Sequence, residues 1–292
     1  MLAVSHNHAD HDVGASDVLT HYPNRIGCVF ILQDKPAKDM RFARTLLVEV
    51  EKGALKREQI RNLQLDRPGQ PKPLWRSKDG SLCLVLLYPD FVGNLGAQQR
   101  NDQNATSAVL TLKGPGARIL FSGNCTLDGW RALHEWQQSV PLNCSIVLAP
   151  HHGGCLAGEQ DIDGMPSYQW LYERCIHAEV GVISVGTSNQ HGHPLKEVVE
   201  AMRRSGTYVM CTQITSQCCD NLDALRPGAI RPSRVCLSSF GRQQTGGGSP
   251  KNVACAGSVV AEITDSGCTI ARLDEHRVAL NSNTLLQDRL CR

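Results

Sequence analysis

The sequence predicts an α/β protein in which buried strands alternate with helices and end in polar loops. Continuous apolar runs of strand length recur along the chain, for example from Ser81 to Tyr88 and from Cys144 to Ala149. Segments with helical patterns separate several of these runs, and histidine-rich segments follow others. Alternation of the two patterns indicates the α/β class. The polar residues at the strand ends are the first candidates for chemistry.

The predicted strands are short and apolar. They are Met1 to Ser5, Ile26 to Leu32, Ser81 to Tyr88, Ser107 to Leu112, Arg118 to Ser122, Cys144 to Ala149, Val180 to Val185 and Thr207 to Thr212. Gly114-Pro115-Gly116 predicts a tight turn between two of them. Near the C-terminus, Ser258 to Thr264 and Thr269 to Leu273 are expected to pair as a hairpin.

The predicted helices have weaker patterns than the strands. They are Thr45 to Gln64 as a helix or helical insertion, a helix capped by Thr126, Tyr168 to His177, and about Leu195 to Arg204 after Pro194. In the helix that follows Thr126, the side chains of Trp130, Leu133 and Trp136 recur on one face. The polar segment from Gly93 to Ala105 is expected to be a loop.

Composition restricts the class of protein further. The 292 residues are 41% apolar and 20% charged, as is typical of a folded soluble protein. The formal net charge of +2 is too balanced to indicate a polyanion-binding surface, so nucleic acid is neither supported nor excluded as a partner. No apolar run reaches the roughly 18 residues of a membrane span, and no signal-peptide pattern is present. We therefore expect a cytoplasmic protein without a membrane partner.

The 13 cysteines are expected to be mostly buried, reduced thiols. An odd number cannot all pair within one chain, and several stand singly within apolar runs, where cysteine acts as a small hydrophobic residue. The alternative is a structural Cys₄ zinc site. Its candidate ligands are Cys211, Cys218, Cys219, Cys236 and Cys255, but none of their intervals has the two-residue spacing of a zinc knuckle.

The segment from His6 to His11 carries the strongest chemical signal. His6, His8, Asp10 and His11 lie within six residues directly after the first predicted strand. Imidazole and carboxylate groups at this spacing can bind one ion, or two ions that lie a few ångströms apart. A solvated polar loop rarely contains three histidines and an aspartate so close together. The sequence therefore predicts a metal site here.

This cluster resembles the signature of the metallo-β-lactamase superfamily. Three further segments are similar to its ComEC/Rec2-like hydrolase branch: Asn104 to Asn124, Val147 to Gly154, and Val182 to Pro194. The resemblance covers about residues 1 to 212, and nothing comparable is recognised after that. It implies a domain at residues 1–212 with an αββα sandwich, followed by a cysteine-containing C-terminal extension at residues 213–292.

The resemblance also implies a ligand set. His6 and His8 would bind one zinc ion, and Asp10 and His11 a second; Mn²⁺ is the other candidate metal. A bridging residue follows Ser122-Gly123, and one of His151 and His152 is a further ligand, although the sequence does not determine which. The expected reaction is hydrolysis of a phosphodiester or other ester by a metal-bound hydroxide, because the ion lowers the pKa of water to about 7.

His191 and His193 lie between a predicted strand and a helix start. Backbone N–H groups there can bind an anion, and the imidazoles can donate to a phosphoryl or carboxyl oxygen. The alternative is a plain helix-entry loop. The resemblance favours His193 over His191, so Asp10 and His193 are the predicted catalytic residues, and Asn189 can contribute a hydrogen bond.

The sequence departs from the family pattern at two places, the second metal site and the N-terminal strands. Asn124 occupies the position where relatives have the bridging carboxylate, and a neutral amide binds a second ion more weakly. Relatives also have several strands before the metal motif, whereas this chain reaches it at residue 6. The first N-terminal strands of the sandwich are therefore expected to be missing, or to be replaced by a protein partner or by the C-terminal extension.

Three functions remain open on this basis. The first is a metal-dependent hydrolase of ester or phosphodiester bonds. The second is a degenerate relative that keeps the fold and serves as a binding or regulatory subunit. The third is hydrolysis of a thioester or lactone. Gln103-Asn104-Ala105-Thr106 disfavours the third, because branches with that activity carry a Gly-His-Thr type motif at this position.

Overall fold

A computed structural model describes residues 1–6, 8–32, 41–100, 102–187, 191–219, 222 and 253–291, with the backbone alone at residues 9, 10, 98 and 100. The protein is mixed α/β, as the sequence predicts. It divides into two compact units: unit 1 is residues 1–111 and 122–138, and unit 2 is residues 112–121 and 139–292. The predicted boundary at residue 212 stays a prediction.

Unit 1 begins with three parallel strands joined by two helices. The elements are β1 Leu2–Val4, α1 Ala9–His21, β2 Val29–Ile31, α2 Arg41–Glu51 and β3 Ile60–Asn62. The strands lie in the order β1-β2-β3. Val4, Leu19, Val29 and Phe42 are buried together between strands and helices. This packing fixes the end of β1, from which the histidine cluster starts.

The remainder of unit 1 contains an antiparallel strand pair and two more helices. The elements are β4 Lys72–Arg76, β5 Cys83–Tyr88, α3 Phe91–Arg100, β6 Val109–Gly114 and α4 Leu127–Trp136. Strand β6 belongs to unit 1 up to Thr111. β4 pairs with β5, and β6 lies beside β5. Trp130 and Leu133 of α4 are fully buried, as the predicted apolar face of this helix requires.

Unit 2 is built on four parallel strands. They are β7 Ala117–Phe121, β8 Leu142–Leu148, β11 Ile176–Ile183 and β12 Tyr208–Cys211, in the order β7-β8-β11-β12. Adjacent strands pair in parallel throughout. The connections between them contain helix α5 Ser167–Trp170, a π-helical turn at Leu171–Cys175 and helix α6 Lys196–Arg204. A short hairpin of β9 Asp161–Ile162 and β10 Met165–Pro166 precedes α5.

The C-terminal part of unit 2 packs against this sheet. β13 Ala261–Thr264 and β14 Gly267–Ile270 form the predicted hairpin, and α7 Leu273–Ser282 follows it. Ala261, Ile270 and Leu273 cover the buried Ile146 and Val180 of the sheet. Cys211, Cys218, Cys219 and Cys255 are buried, as expected, and Cys236 lies outside the described residues. In the part of the chain that is described, no helix is long and apolar enough to cross a membrane.

Three local predictions differ from the structure. The segment from Gly93 to Ala105 is not simply a loop, because α3 occupies residues 91–100; the Asp90 carboxylate caps it by accepting from the Gly93 N–H at 2.9 Å. The segment from Thr45 to Gln64 is helical only to Glu51 and ends in strand β3. The predicted ligand loop after β1 is short, because Asp10 and His11 already belong to the first turn of α1.

The Thr126 side chain is a helix N-cap, as predicted, and its contribution to stability can be measured. Thr126 Oγ1 accepts a hydrogen bond from the Gly129 N–H, which has no partner within the first turn of α4. We expect Thr126→Ala to lower the free energy of unfolding by about 1 kcal/mol, and Thr126→Ser to retain most of it. Urea unfolding followed by tryptophan fluorescence measures both variants. Equal stability of the Ala variant and the unaltered protein would contradict this role.

Candidate functional site

Three histidine rings lie together at the end of β1. His6 follows the strand, His8 is the N-cap residue of α1, and His11 is in the first helical turn. The centroid of the His6 ring is 4.7 Å from that of His8 and 4.2 Å from that of His11. The cluster therefore lies where the end of β1 is followed by the first turn of α1.

The His6 ring is buried and is held by two serine hydroxyls. Its Nδ1 atom is 3.0 Å from Ser5 Oγ and 3.2 Å from Ser107 Oγ. The Ala108 N–H donates to the Ser5 carbonyl at 2.9 Å, so the backbone also joins the start of β6 to the end of β1. These contacts fix both the position and the orientation of the imidazole.

Asn124 reaches the same place from a different part of the chain. Its backbone N–H donates to Ser107 Oγ at 2.7 Å, so Ser107 contacts both Asn124 and His6. The Asn124 side chain is buried, and its Nδ2 donates to Asn104 Oδ1 at 3.2 Å. Among the described residues, none donates a hydrogen bond to Asn124 Oδ1. A buried amide oxygen without a donor is costly, which indicates a ligand position.

Asp10 lies between His8 and His11 in the sequence, at the start of helix α1. Its backbone lies in the first turn of α1, but its side chain lies outside the described part of the structure. Asn7 is also outside that part. The assignment of Asp10 as a ligand and a catalytic residue stays a prediction.

His151 and His152 belong to unit 2 and follow β8. Both have left-handed backbone conformations, with φ values of 49° and 55°. Two successive non-glycine residues in this region cost of order 1–3 kcal/mol each, and such strain clusters at functional sites. His151 Nδ1 is 2.8 Å from the Cys155 carbonyl and His152 Nδ1 is 2.9 Å from the Ser184 carbonyl. Because a carbonyl oxygen only accepts, these contacts place the proton of each neutral ring on Nδ1.

His193 follows β11 and lies near His151. The parallel strands β8 and β11 have their carboxyl ends at the same edge of the sheet, which brings the two loops together. The His193 ring centroid is 5.6 Å from that of His151 and 5.7 Å from that of His191. A Cβ atom on Gly154 would lie 2.2 Å from His193 Cε1, so only glycine fits there. Asn189 lies outside the described residues.

The surroundings of His193 favour the neutral form of its imidazole. Partial burial lowers its pKa, and the neighbouring His151, His152 and His191 lower the pKa further. A neutral ring can donate or accept a hydrogen bond without adding positive charge. The catalytic role predicted for His193 stays a prediction.

The predicted site residues thus form two groups, one in each unit. His6, His8, His11 and Asn124 are together in unit 1, and His151, His152 and His193 are together in unit 2. Convergence of the two groups on one metal site stays a prediction. The sequence did not indicate Ser107 or Asn104, because small polar residues at a strand start are common and their partners are distant in the chain.

No preformed metal cage is present among the described side chains, since no group of three or more histidine, cysteine, aspartate or glutamate residues there is arranged to hold an ion. The donor chemistry nevertheless fits a divalent metal. Neighbouring imidazoles and a buried amide oxygen without a donor are groups that zinc and harder cations accept as ligands. No protein-family model matches the chain, and no curated protein matches it significantly.

The tight packing around Ser107 can be tested at Gly123. Gly123 has φ of 52°, and a Cβ atom there would lie 2.3 Å from Ser107 Oγ and 3.1 Å from the Ala108 carbonyl. Gly123→Ala should therefore destabilise unit 1 by more than the roughly 1 kcal/mol expected from backbone strain alone. Gly80→Ala is the matched control, since Gly80 also has positive φ but open space around it. Equal losses in urea unfolding would show that Ser107 is not tightly held.

Proposed function

We propose that this protein is a zinc-dependent hydrolase of phosphodiester or other ester bonds, with the αββα sandwich of the metallo-β-lactamase superfamily. The single observation that carries the proposal is the group of three adjacent imidazoles from His6, His8 and His11, to which Asn124 is linked through the Ser107 hydroxyl. A core histidine would be surrounded by apolar groups. Here the His6 ring has two other imidazoles as neighbours, which favours a metal ligand.

The sequence resemblance supplies the fold in this proposal. The mixed α/β class supports it at a coarse level, and so does the order of strand, histidine cluster and helix at the start of unit 1. In unit 2, histidines follow two neighbouring parallel strands, β8 and β11. Enzyme sites in open α/β sheets lie outside the carboxyl ends of the strands, so this position also favours function.

The chain's residues would hold the metal as follows. His6 would bind the ion through Nε2, while its Nδ1–H donates to the Ser107 hydroxyl. In metal sites, such a hydrogen bond from the other ring nitrogen orients the ligating histidine. His8 would share that ion. Asp10 and His11 would hold a second ion, and Asn124 would be a further ligand. The Nδ1–H contacts of His151 and His152 to backbone carbonyls leave Nε2 as the ligating atom of either ring.

A bound zinc ion supplies Lewis acidity, which polarises the electrophile and lowers the pKa of water to about 7. The protein's own contribution is orientation and hydrogen bonding. Serine hydroxyls and backbone carbonyls hold the histidine rings before substrate binds. The neutral His193 would donate to a phosphoryl or carbonyl oxygen as negative charge develops there, which is the kind of electrostatic stabilisation that enzymes use most.

Asn124 favours a second candidate function. Because an amide carries no charge, it offsets the charge of two neighbouring cations less well than a carboxylate would. A chain with a weakened second site would keep the fold and serve as a metal-dependent binding or regulatory subunit. Metal stoichiometry distinguishes the two candidates, since hydrolysis through a pair of ions needs both of them.

Substitution of His8 tests the metal site directly. The His8 side chain makes no capping hydrogen bond and is partly exposed, so its loss should leave the protein folded. We expect His8→Ala to reduce bound zinc per chain and to lower hydrolysis of bis(p-nitrophenyl) phosphate by more than about a hundredfold. His21→Ala is the matched control, because His21 is an exposed histidine of the same helix.

Zinc content by elemental analysis and turnover by absorbance are measured on the three proteins in parallel. Equal zinc content and turnover in His8→Ala and the unaltered protein would contradict the proposal. Loss in both variants would show a general effect on helix α1. Circular dichroism confirms that the compared samples are folded.

The Asn124→Asp variant distinguishes enzyme from binding subunit. A carboxylate there can bridge two ions, so the affinity for the second zinc ion should rise, and hydrolysis should rise with it. The Asn104 amide can rotate to donate to the new carboxylate in place of accepting from Asn124. Asn124→Leu is the control of similar size without an oxygen ligand, and it should lose the second ion. Equal zinc affinity in the Asn and Asp forms would show that Asn124 is not a ligand.

A further inference from the structure

A cavity of about 430 Å³ in unit 2 is lined by three arginines, and no acidic side chain is found among the described residues that line it. It lies between the end of α6, the start of β12, helix α7 and the C-terminal segment. Arg203, Arg277 and Arg289 come from three of these elements, and Tyr208 and Asn281 also line the cavity. Its volume is within the range of small-molecule sites, about 300–1,000 Å³.

Arg289 is the least expected of these residues because it is buried. Only 8% of its surface is exposed. Nη1 donates to the Leu280 and Leu286 carbonyls, and Nη2 donates to Asn281 Oδ1. Nε is also buried, and none of the described residues accepts a hydrogen bond from it. A buried guanidinium with a remaining donor lacks part of the stabilisation that would offset its desolvation.

The groups beside Arg289 do not neutralise it. Burial raises the pKa of the Cys255 thiol to about 12, so this thiol is uncharged at pH 7. Burial, together with the positive charge of Arg289, lowers the pKa of His276 to about 4, so this ring is also neutral. The hydrogen bond from Cys291 lowers the pKa of Cys218 to about 6, but Cys218 does not line the cavity.

The two exposed arginines have different surroundings. Arg277 lies over the Tyr208 ring, with its guanidinium carbon 4.4 Å from the ring centroid, and it contacts the exposed carboxylate of Asp274 at 3.4 Å. Among the described residues, the hydrogen-bond partner of the Arg203 side chain is the Leu290 carbonyl, at 3.5 Å. Surface ion pairs contribute little, so Asp274 does not prevent Arg277 from binding another anion. Among the described side chains that line the cavity, the charged ones are therefore the three arginines.

We propose that this cavity binds the phosphate group of a small phosphorylated molecule. Guanidinium groups match the oxygens of phosphate with paired hydrogen bonds, and a water-restricted position strengthens such contacts. The buried Arg289 would gain a counter-charge, with Arg203 and Arg277 closing over the ligand from the exposed side. The Tyr208 hydroxyl is held by His276 Nδ1 at 3.0 Å, which keeps the ring in place below Arg277. The site is independent of the proposed hydrolysis in unit 1.

Isothermal titration calorimetry with inorganic phosphate and with glycerol 3-phosphate tests this site. Arg203→Gln and Arg277→Gln each remove one exposed charge, and we expect each to weaken binding about tenfold. Arg204→Gln is the matched control, because Arg204 is the exposed neighbour of Arg203 on α6 but does not line the cavity. The His8→Ala variant should bind both ligands as the unaltered protein does, which separates this site from the proposed metal centre.

The titrations decide both the class of ligand and the location of the site. Tighter binding of glycerol 3-phosphate than of phosphate identifies an organic phosphate as the ligand class, and equal binding identifies free phosphate. Absence of binding at millimolar ligand overturns the proposal. An equal loss in Arg204→Gln also overturns it, because general surface charge would then explain the effect. Loss of binding in His8→Ala, with no effect of Arg203→Gln or Arg277→Gln, would place the phosphate in unit 1 instead.

Discussion

The Ser107 hydroxyl joins three segments of unit 1 that are far apart in the sequence. It contacts the His6 ring, which is 101 residues away, and accepts from the Asn124 backbone, which is 17 residues away. A single oxygen can do this because a hydroxyl oxygen has two lone pairs and can accept two hydrogen bonds. The histidine cluster at the end of β1 and the Asn124 turn are therefore held to the start of β6. Every role proposed for this cluster depends on that contact.

A different constraint organises the histidines of unit 2. There, two adjacent residues adopt left-handed backbone conformations, and Gly153 and Gly154 follow because larger side chains would collide with Pro194 and His193. Contacts of both imidazoles with backbone carbonyls offset part of the strain of this turn. Strain of this kind persists where the surroundings hold it, and here the surroundings are the neighbouring loop after β11.

The sequence was sufficient for the α/β class and for most strands, since each strand is an apolar run bounded by turn residues. The Thr126 cap and the C-terminal hairpin were also predictable, because their signals are local. Helix α3 was missed because its cap, Asp90, follows a proline and because the helix contains Gly93 and Gly96, which have low helix propensity. In the site, the histidines were predictable from their spacing. Ser107 was not, and the carbonyls that orient His151 and His152 have no sequence signature.

The packing of the C-terminal hairpin has a consequence for how the chain can be shortened. Ala256, Ala261 and Ile270 lie against Ile146, Val180 and Met210, so these residues form part of the same apolar interior as the sheet of unit 2. A chain cut at residue 212 would expose one face of that sheet to water. Exposed apolar patches of this kind promote self-association. Recombinant fragments intended for solution work should therefore retain the hairpin and α7.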